Sequence, residues 1–139
     1  DSMDLTRRLL EYVREHFQQP LTLGRLAAGL HVNKYYLSHI FSRKLQMNFR
    51  EYLNRIRLSY AEQLITTTDR PLTEIWAESG FESQSSFNRI FREAEGMTPR
   101  EYRERGLKKG DPANTAPPGP EGVGSGARGR FNFWGAVRL

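Results

Sequence analysis

Apolar residues recur three and four positions apart at the start of the chain, at Leu5, Leu9, Tyr12, Val13 and Phe17, with Arg7, Arg8, Glu11, Arg14 and Glu15 between them. That period predicts an amphipathic helix, which Pro20 ends. From Thr22 a short helix through Leu26 and Ala27 runs into a turn at Leu30, His31 and Val32, and Asn33 caps a second helix through Tyr36, Leu37, Ile40 and Phe41. Two short helices across a tight turn make a helix-turn-helix. From Asn48 to about Thr67 neither Gly nor Pro intervenes, and Phe49, Leu53, Ile56, Tyr60 and Leu64 are expected to line one face of a single long helix. Asp69-Arg70-Pro71 breaks it. Thr73 to Ser79 then supplies a short helix, Gly80-Phe81-Glu82 a turn, Ser83 a cap, and Gln84 to Ala94 a partner helix closed by Gly96. Thr98 followed by Pro99 opens a last helix through Tyr102 to about Arg105. No strand is needed, so the predicted fold class is all-α.

The chain states one pattern twice. Leu37, Ile40, Phe41, Met47, Arg50, Glu51 and Tyr52 match Phe87, Ile90, Phe91, Met97, Arg100, Glu101 and Tyr102, each pair fifty positions apart. A duplication at that period implies two copies of one supersecondary unit. Two similar basic helices at a fixed separation suit a repetitive, negatively charged partner, and double-stranded DNA is such a partner. The expected organisation is a first unit over residues 1–47, a linker helix over 48–67 and a second unit over 68–109.

Composition narrows the partner further. The chain has 139 residues and a formal charge of +5, which favours a polyanion over a basic protein. It has no cysteine, so disulfides, thiolate chemistry and Cys-ligated zinc are excluded and a reducing cytoplasm is compatible. No apolar run approaches the roughly 20 residues that span a bilayer, and no membrane role is expected. Beyond Lys109 the chain turns to Pro and Gly, and residues 110–139 are expected to form a disordered tail, with Phe131, Phe133 and Trp134 near its end.

Taken in order, these segments resemble a known family. They are L-T-x-x-x-L-A, Y-L-S-x-I-F, R-x-R-L-S-x-A at Arg55 to Ala61, L-T-E-I-x-x-E-S-G-F-E-S-Q-S-S-F-N-R-I-F-R, and G-M-T-P-R-E-Y-R. From Leu5 to Arg105 the chain closely resembles the DNA-binding domain of the AraC/XylS family of bacterial transcription regulators. The resemblance implies seven helices, two helix-turn-helix subdomains joined by a long linker helix, and a second helix of each unit seated in the DNA major groove. It also implies a transcription activator that touches RNA polymerase, a cytoplasmic, nucleoid-associated location, and in most relatives a separate sensor or dimerisation domain.

The buried positions fix the reading faces. With Leu37, Ile40 and Phe41, and Phe87, Ile90 and Phe91, turned to the core, Lys34, Tyr35, Ser38 and His39 project outward, as do Gln84, Ser85, Asn88 and Arg89. The family's base-contacting positions fall on Tyr35, Ser38, His39, Gln84, Ser85, Asn88 and Arg89. Arg pairs bidentately with guanine and Gln or Asn with adenine, so the chemistry fits. The competing role for Arg89 is a pairing with Glu93 one turn on. Lys34, Arg43, Lys44, Arg92 and Arg100, with the helix starts at Asn48 and Thr98, are assigned to phosphates.

Three positions depart from the family pattern. His31 and Gln46 stand where the second unit has Gly80 and Gly96, at backbone positions that favour positive φ. Trp76 replaces a small residue expected against the second reading helix. Catalysis is not expected, because His16, His31 and His39 are scattered and no metal-ligand spacing or phosphate-binding glycine loop occurs, and no cofactor is implied. The remaining alternative is a helical protein-protein interaction module without specific DNA binding.

Overall fold

Side chains set the helix starts. Thr22, Asn33, Asn48 and Ser83 each stand in extended backbone, and each accepts a hydrogen bond from an N–H two or three residues further on. Each satisfies a donor that the first turn leaves without an intrahelical partner. The computed structural model describes residues 2–107. Seven α-helices run through them: α1 (Ser2–His16), α2 (Leu23–Leu30), α3 (Lys34–Ile40), α4 (Phe49–Thr67), α5 (Leu72–Glu78), α6 (Gln84–Glu95) and α7 (Pro99–Leu107). No strand occurs among the described residues. The Gly- and Pro-rich tail and its aromatic end lie outside them.

Two cores form. Leu9, Leu10, Val13, Leu26, Leu30, Leu37, Ile40 and Phe41 pack with Tyr52, Leu53 and Ile56 of α4 in the first. Leu58, Ala61 and Ile65 of α4 pack with Ile75, Phe81, Phe87 and Phe91 in the second. Trp76 is half-buried against this second core, so the larger ring is housed at its edge.

The linker corrects an expectation. Leu53, Ile56, Phe49 and Tyr60 do face the first core, but Leu64 belongs to the second, with Leu58, Ala61 and Ile65. Leu58, Ala61 and Ile65 each follow a first-core residue by five positions, which at about 100° per residue turns them by about 140°. One continuous helix therefore hides different faces in its two halves, and a single-stripe reading sees only one.

Charged side chains bind the units to the linker. Arg57 Nε donates to the Phe17 carbonyl at 2.8 Å, and its Nη2 donates to Gln19 at 2.9 Å, tying α4 to the end of α1. Burial presses its guanidinium below the usual pKa, with nearby Glu82 acting upward and Arg50 downward. Gln18 crosses between the units and donates to the Glu78 carbonyl at 3.0 Å. At the far end Arg103 donates to the carbonyls of Ile65, Arg70 and Thr68, which closes the open C-terminus of α4.

The four left-handed positions fall in corresponding turns of the two units, Gln46 and Gly96 in register and His31 one step out of register with Gly80. His31 has φ 60° and Gln46 φ 56°, against Gly80 at 96° and Gly96 at 74°. After Ile40 the chain makes a π-helical turn, Phe41–Leu45, before reaching Gln46, whereas α6 stays α-helical through Glu95. Gln46 in this conformation carries a Cβ strain that glycine removes. Gln46→Gly is expected to raise the denaturant midpoint by the equivalent of about 0.5–1 kcal/mol with an unchanged m-value.

Gly80 answers to a second constraint. A Cβ there lies 2.5 Å from the Phe17 carbonyl and 2.8 Å from Arg57 Nε, so the turn of the second unit is pressed against the end of the first. Gly80→Ala is expected to destabilise the chain by about 2–4 kcal/mol, read in the same denaturation experiment, because strain and a backbone clash act together.

Candidate nucleic-acid interface

Inward and outward faces separate on α3 and α6, the two helices expected to read bases. Leu37, Ile40, Phe41, Phe87 and Phe91 are buried, and Ile90 is half-buried beside the cleft between α4 and α6. Lys34, Tyr35, Ser38 and His39 on α3 are all exposed. Gln84, Ser85, Asn88 and Arg89 on α6 are exposed as well. Tyr35 is 77% exposed, with Lys34 Nζ 5.7 Å from its ring centre. Tyr36, named with Leu37, Ile40 and Phe41 along the second helix but not among its core-facing residues, is 45% exposed and widens the aromatic surface at the start of α3. Its position one step from Leu37 places it at the edge of the apolar stripe, where period alone does not decide orientation.

Arg89 and Glu93 approach to 3.8 Å with both side chains largely exposed. A pair that long in water is weak, so the guanidinium remains available to a stronger acceptor. Arg43 and Lys44 are exposed on the π-helical turn, which displaces them from where straight α-helical stepping puts them. The matching positions after α6's reading face are Glu93 and Ala94, so the cationic end belongs to the first unit. Arg92 and Arg100 are exposed.

The two copies differ at the helices that follow. Thr98 N–H donates to Glu101 Oε1 at 2.9 Å while Glu101 N–H donates back to Thr98 Oγ1 at 3.1 Å, a complete capping box. These bonds hold the Glu101 carboxyl below the usual carboxylate range. In the first copy Asn48 Oδ1 takes the Glu51 N–H at 2.8 Å, but the Glu51 carboxylate turns to Arg55 at 3.1 Å. That box is half closed. A phosphate at Thr98 has to displace Glu101, whereas one at Asn48 meets no such competitor.

Between α4 and α6 lies a cleft of about 450 Å³ that brings Arg50, Arg55 and Arg57 together with Arg89, and with Glu51, Glu82 and Glu93. Among the described residues no group of three His, Cys, Asp or Glu is arranged to hold a metal ion. His16 stacks on Tyr12 at 4.0 Å, apart from His31 in the turn and His39 on the reading face. No helix among the described residues is long and apolar enough to cross a membrane.

This is the architecture of a tandem helix-turn-helix protein, and comparison with known proteins agrees. A helix-turn-helix domain family pattern matches residues 26–105. The regulatory protein SoxS of Salmonella typhimurium is 34% identical over 101 residues, covering 73% of this chain and 94% of that protein. The melibiose operon regulatory protein of Escherichia coli is 30% identical over 97 residues, covering 70% of this chain and 32% of that protein. The chain thus spans nearly all of one relative and about a third of the other. A solved DNA-binding domain of AdpA, described in complex with a target DNA, shares the fold at a TM-score of 0.71 with 20% identity, covering 76% of this chain and 96% of that one. The chain belongs to the AraC/XylS family of helix-turn-helix transcription regulators. That is a family of DNA-binding regulators and not of enzymes.

Because the Arg89–Glu93 contact is long and solvated, it does not hold α6 in place. Glu93→Gln is expected to leave the thermal and denaturant midpoints unchanged; a clear loss of stability in either would give Arg89 a structural role instead.

Proposed function

We propose that this chain binds specific double-stranded DNA for a bacterial transcription regulator, with α3 and α6 entering successive major grooves. The observation that carries this reading is the pair of exposed polar and basic faces on one frame, Tyr35, Ser38 and His39 on α3 and Gln84, Ser85, Asn88 and Arg89 on α6. Their shared support, α4, has 19 residues and so is about 28 Å long, near the roughly 34 Å between major-groove faces on one side of B-DNA.

The roles divide by chemistry. Arg89 reads guanine through O6 and N7, Gln84 and Asn88 read adenine, and Tyr35, Ser38, His39 and Ser85 contact thymine methyls or base edges. Lys34, Arg43, Lys44, Arg92 and Arg100 neutralise phosphates, and the starts of α4 and α7 at Asn48 and Thr98 support register. SoxS and the melibiose operon regulator are named as regulators, and the AdpA domain was solved in complex with a target DNA, which supports carrying the partner over. Activation through contact with RNA polymerase, action in the cytoplasm at the nucleoid, and a separate sensor or dimerisation domain complete the proposal on family grounds.

Selection of bound sequences from a random duplex pool tests it, and two half-sites about one helical turn apart are expected. Arg89→Ala should cost about 1–3 kcal/mol and relax preference at one base pair, while Arg43→Ala should weaken target and random DNA equally. Unchanged affinities for both duplexes on Arg89→Ala, measured by titration at fixed salt, would remove α6 from base reading.

A further inference from the structure

Of the four arginines that line the cleft, Arg50 is the one with no hydrogen bond or ion pair among the described residues. Arg55 is bonded to Glu51 at 3.1 Å, Arg57 is spent on the carbonyls of Phe17 and Gln19, and Arg89 faces Glu93 at 3.8 Å. Arg50 is exposed. It lines two clefts, one shared with Ser86 and Arg89 of α6, the other with Thr22 at the start of α2 and Gly80.

Two further observations point the same way. Arg50 is the duplicate of Arg100, and each is the second residue of its helix, after Phe49 in α4 and Pro99 in α7. Its charge also acts on Arg57, so two guanidiniums of like sign stand near each other at the waist of the molecule. An anion seated at Arg50 relieves that repulsion.

Resting on the reading that α3 and α6 bind one duplex, we propose that Arg50 neutralises a backbone phosphate in the DNA between the two half-sites. A duplex that passes both reading helices is continuous, so the stretch between its two major grooves crosses the mouth of the cleft that Arg50 and Arg89 share. Such a contact makes the linker helix part of the DNA interface. It reads no base, and instead fixes where the middle of the site sits against the frame.

The test measures binding of the whole chain to a selected duplex and to a random one across a salt series. Arg50→Ala is expected to make the slope of log affinity against log salt shallower by about 0.9, and to weaken both duplexes by a similar factor. Arg50→Lys restores the slope, and Arg7→Ala, which removes an equal charge from the outer face of α1, leaves it unchanged. Replacing single phosphates between the half-sites by neutral methylphosphonates should weaken the wild-type chain at one position and leave Arg50→Ala insensitive there. An Arg50→Ala slope equal to wild type overturns the inference. So does a lost phosphate that maps inside a half-site, or a loss confined to the selected sequence. A wild-type chain that binds no duplex at low salt overturns the proposed function as well, which separates the two failures.

Discussion

Everything in this molecule depends on α4 belonging to two hydrophobic cores at once. Each unit alone is marginal against its ordering entropy, since a module of about fifty residues buries a smaller fraction of its surface than a larger domain does. Tyr52, Leu53 and Ile56 complete one core, and Leu58, Ala61 and Ile65 complete the other. The junction is then locked by groups that do not slide. Arg57 holds the end of α1 through two carbonyls, and Gly80 leaves no room for even a methyl group against Phe17. The relative position of α3 and α6 is set by packing, and a flexible tether of the same length would not set it.

The duplicated units have kept their skeleton and changed its joints. In the second, glycine occupies both left-handed positions and α6 runs straight to its cap. In the first, His31 and Gln46 accept left-handed backbone angles at a cost of about 1 kcal/mol each, and a π-helical turn carries Arg43 and Lys44 around the end of α3. The acidic residues follow the opposite distribution, with Glu82 and Glu93 near α6. The first unit therefore presents the more purely cationic face, and the second the richer set of hydrogen-bonding groups in Gln84, Asn88 and Arg89. Phosphate attraction and base discrimination draw on different chemistry, and the two copies are differently equipped for each.

Helix starts and stops were legible because their signals are local. Thr22, Asn33, Asn48 and Ser83 cap where their side chains can reach a nearby N–H, and no distant contact is needed to know it. The left-handed geometry of His31 and Gln46 was legible by a different route, through their alignment with Gly80 and Gly96. The second stripe of α4 was not, because two apolar faces superimposed on one helix blur the period that betrays either. Leu64 was consequently grouped on one face with Leu53 and Ile56, although it packs against the other core. The exposure of Tyr36 and the freedom of Arg50 were invisible for a related reason. Both depend on which neighbours are already engaged, and Arg50 stands out only once Arg55 and Arg57 are seen to have partners.

A frame this constrained has a consequence for the duplex proposed to bind it. A rod of about 28 Å joins units whose target grooves recur at about 34 Å, and the two lengths do not coincide. Opening the protein to make up the difference would break the Arg57 and Gln18 hydrogen bonds and drag Gly80 off the Phe17 carbonyl it abuts. Bending DNA of this length costs on the order of 1–6 kcal/mol, and the cost depends on the base steps that are bent. Breaking a packed junction costs a comparable amount but yields no new contact. The duplex is the softer of the two bodies, so base pairs between the half-sites enter the affinity through their flexibility although neither reading helix reaches them.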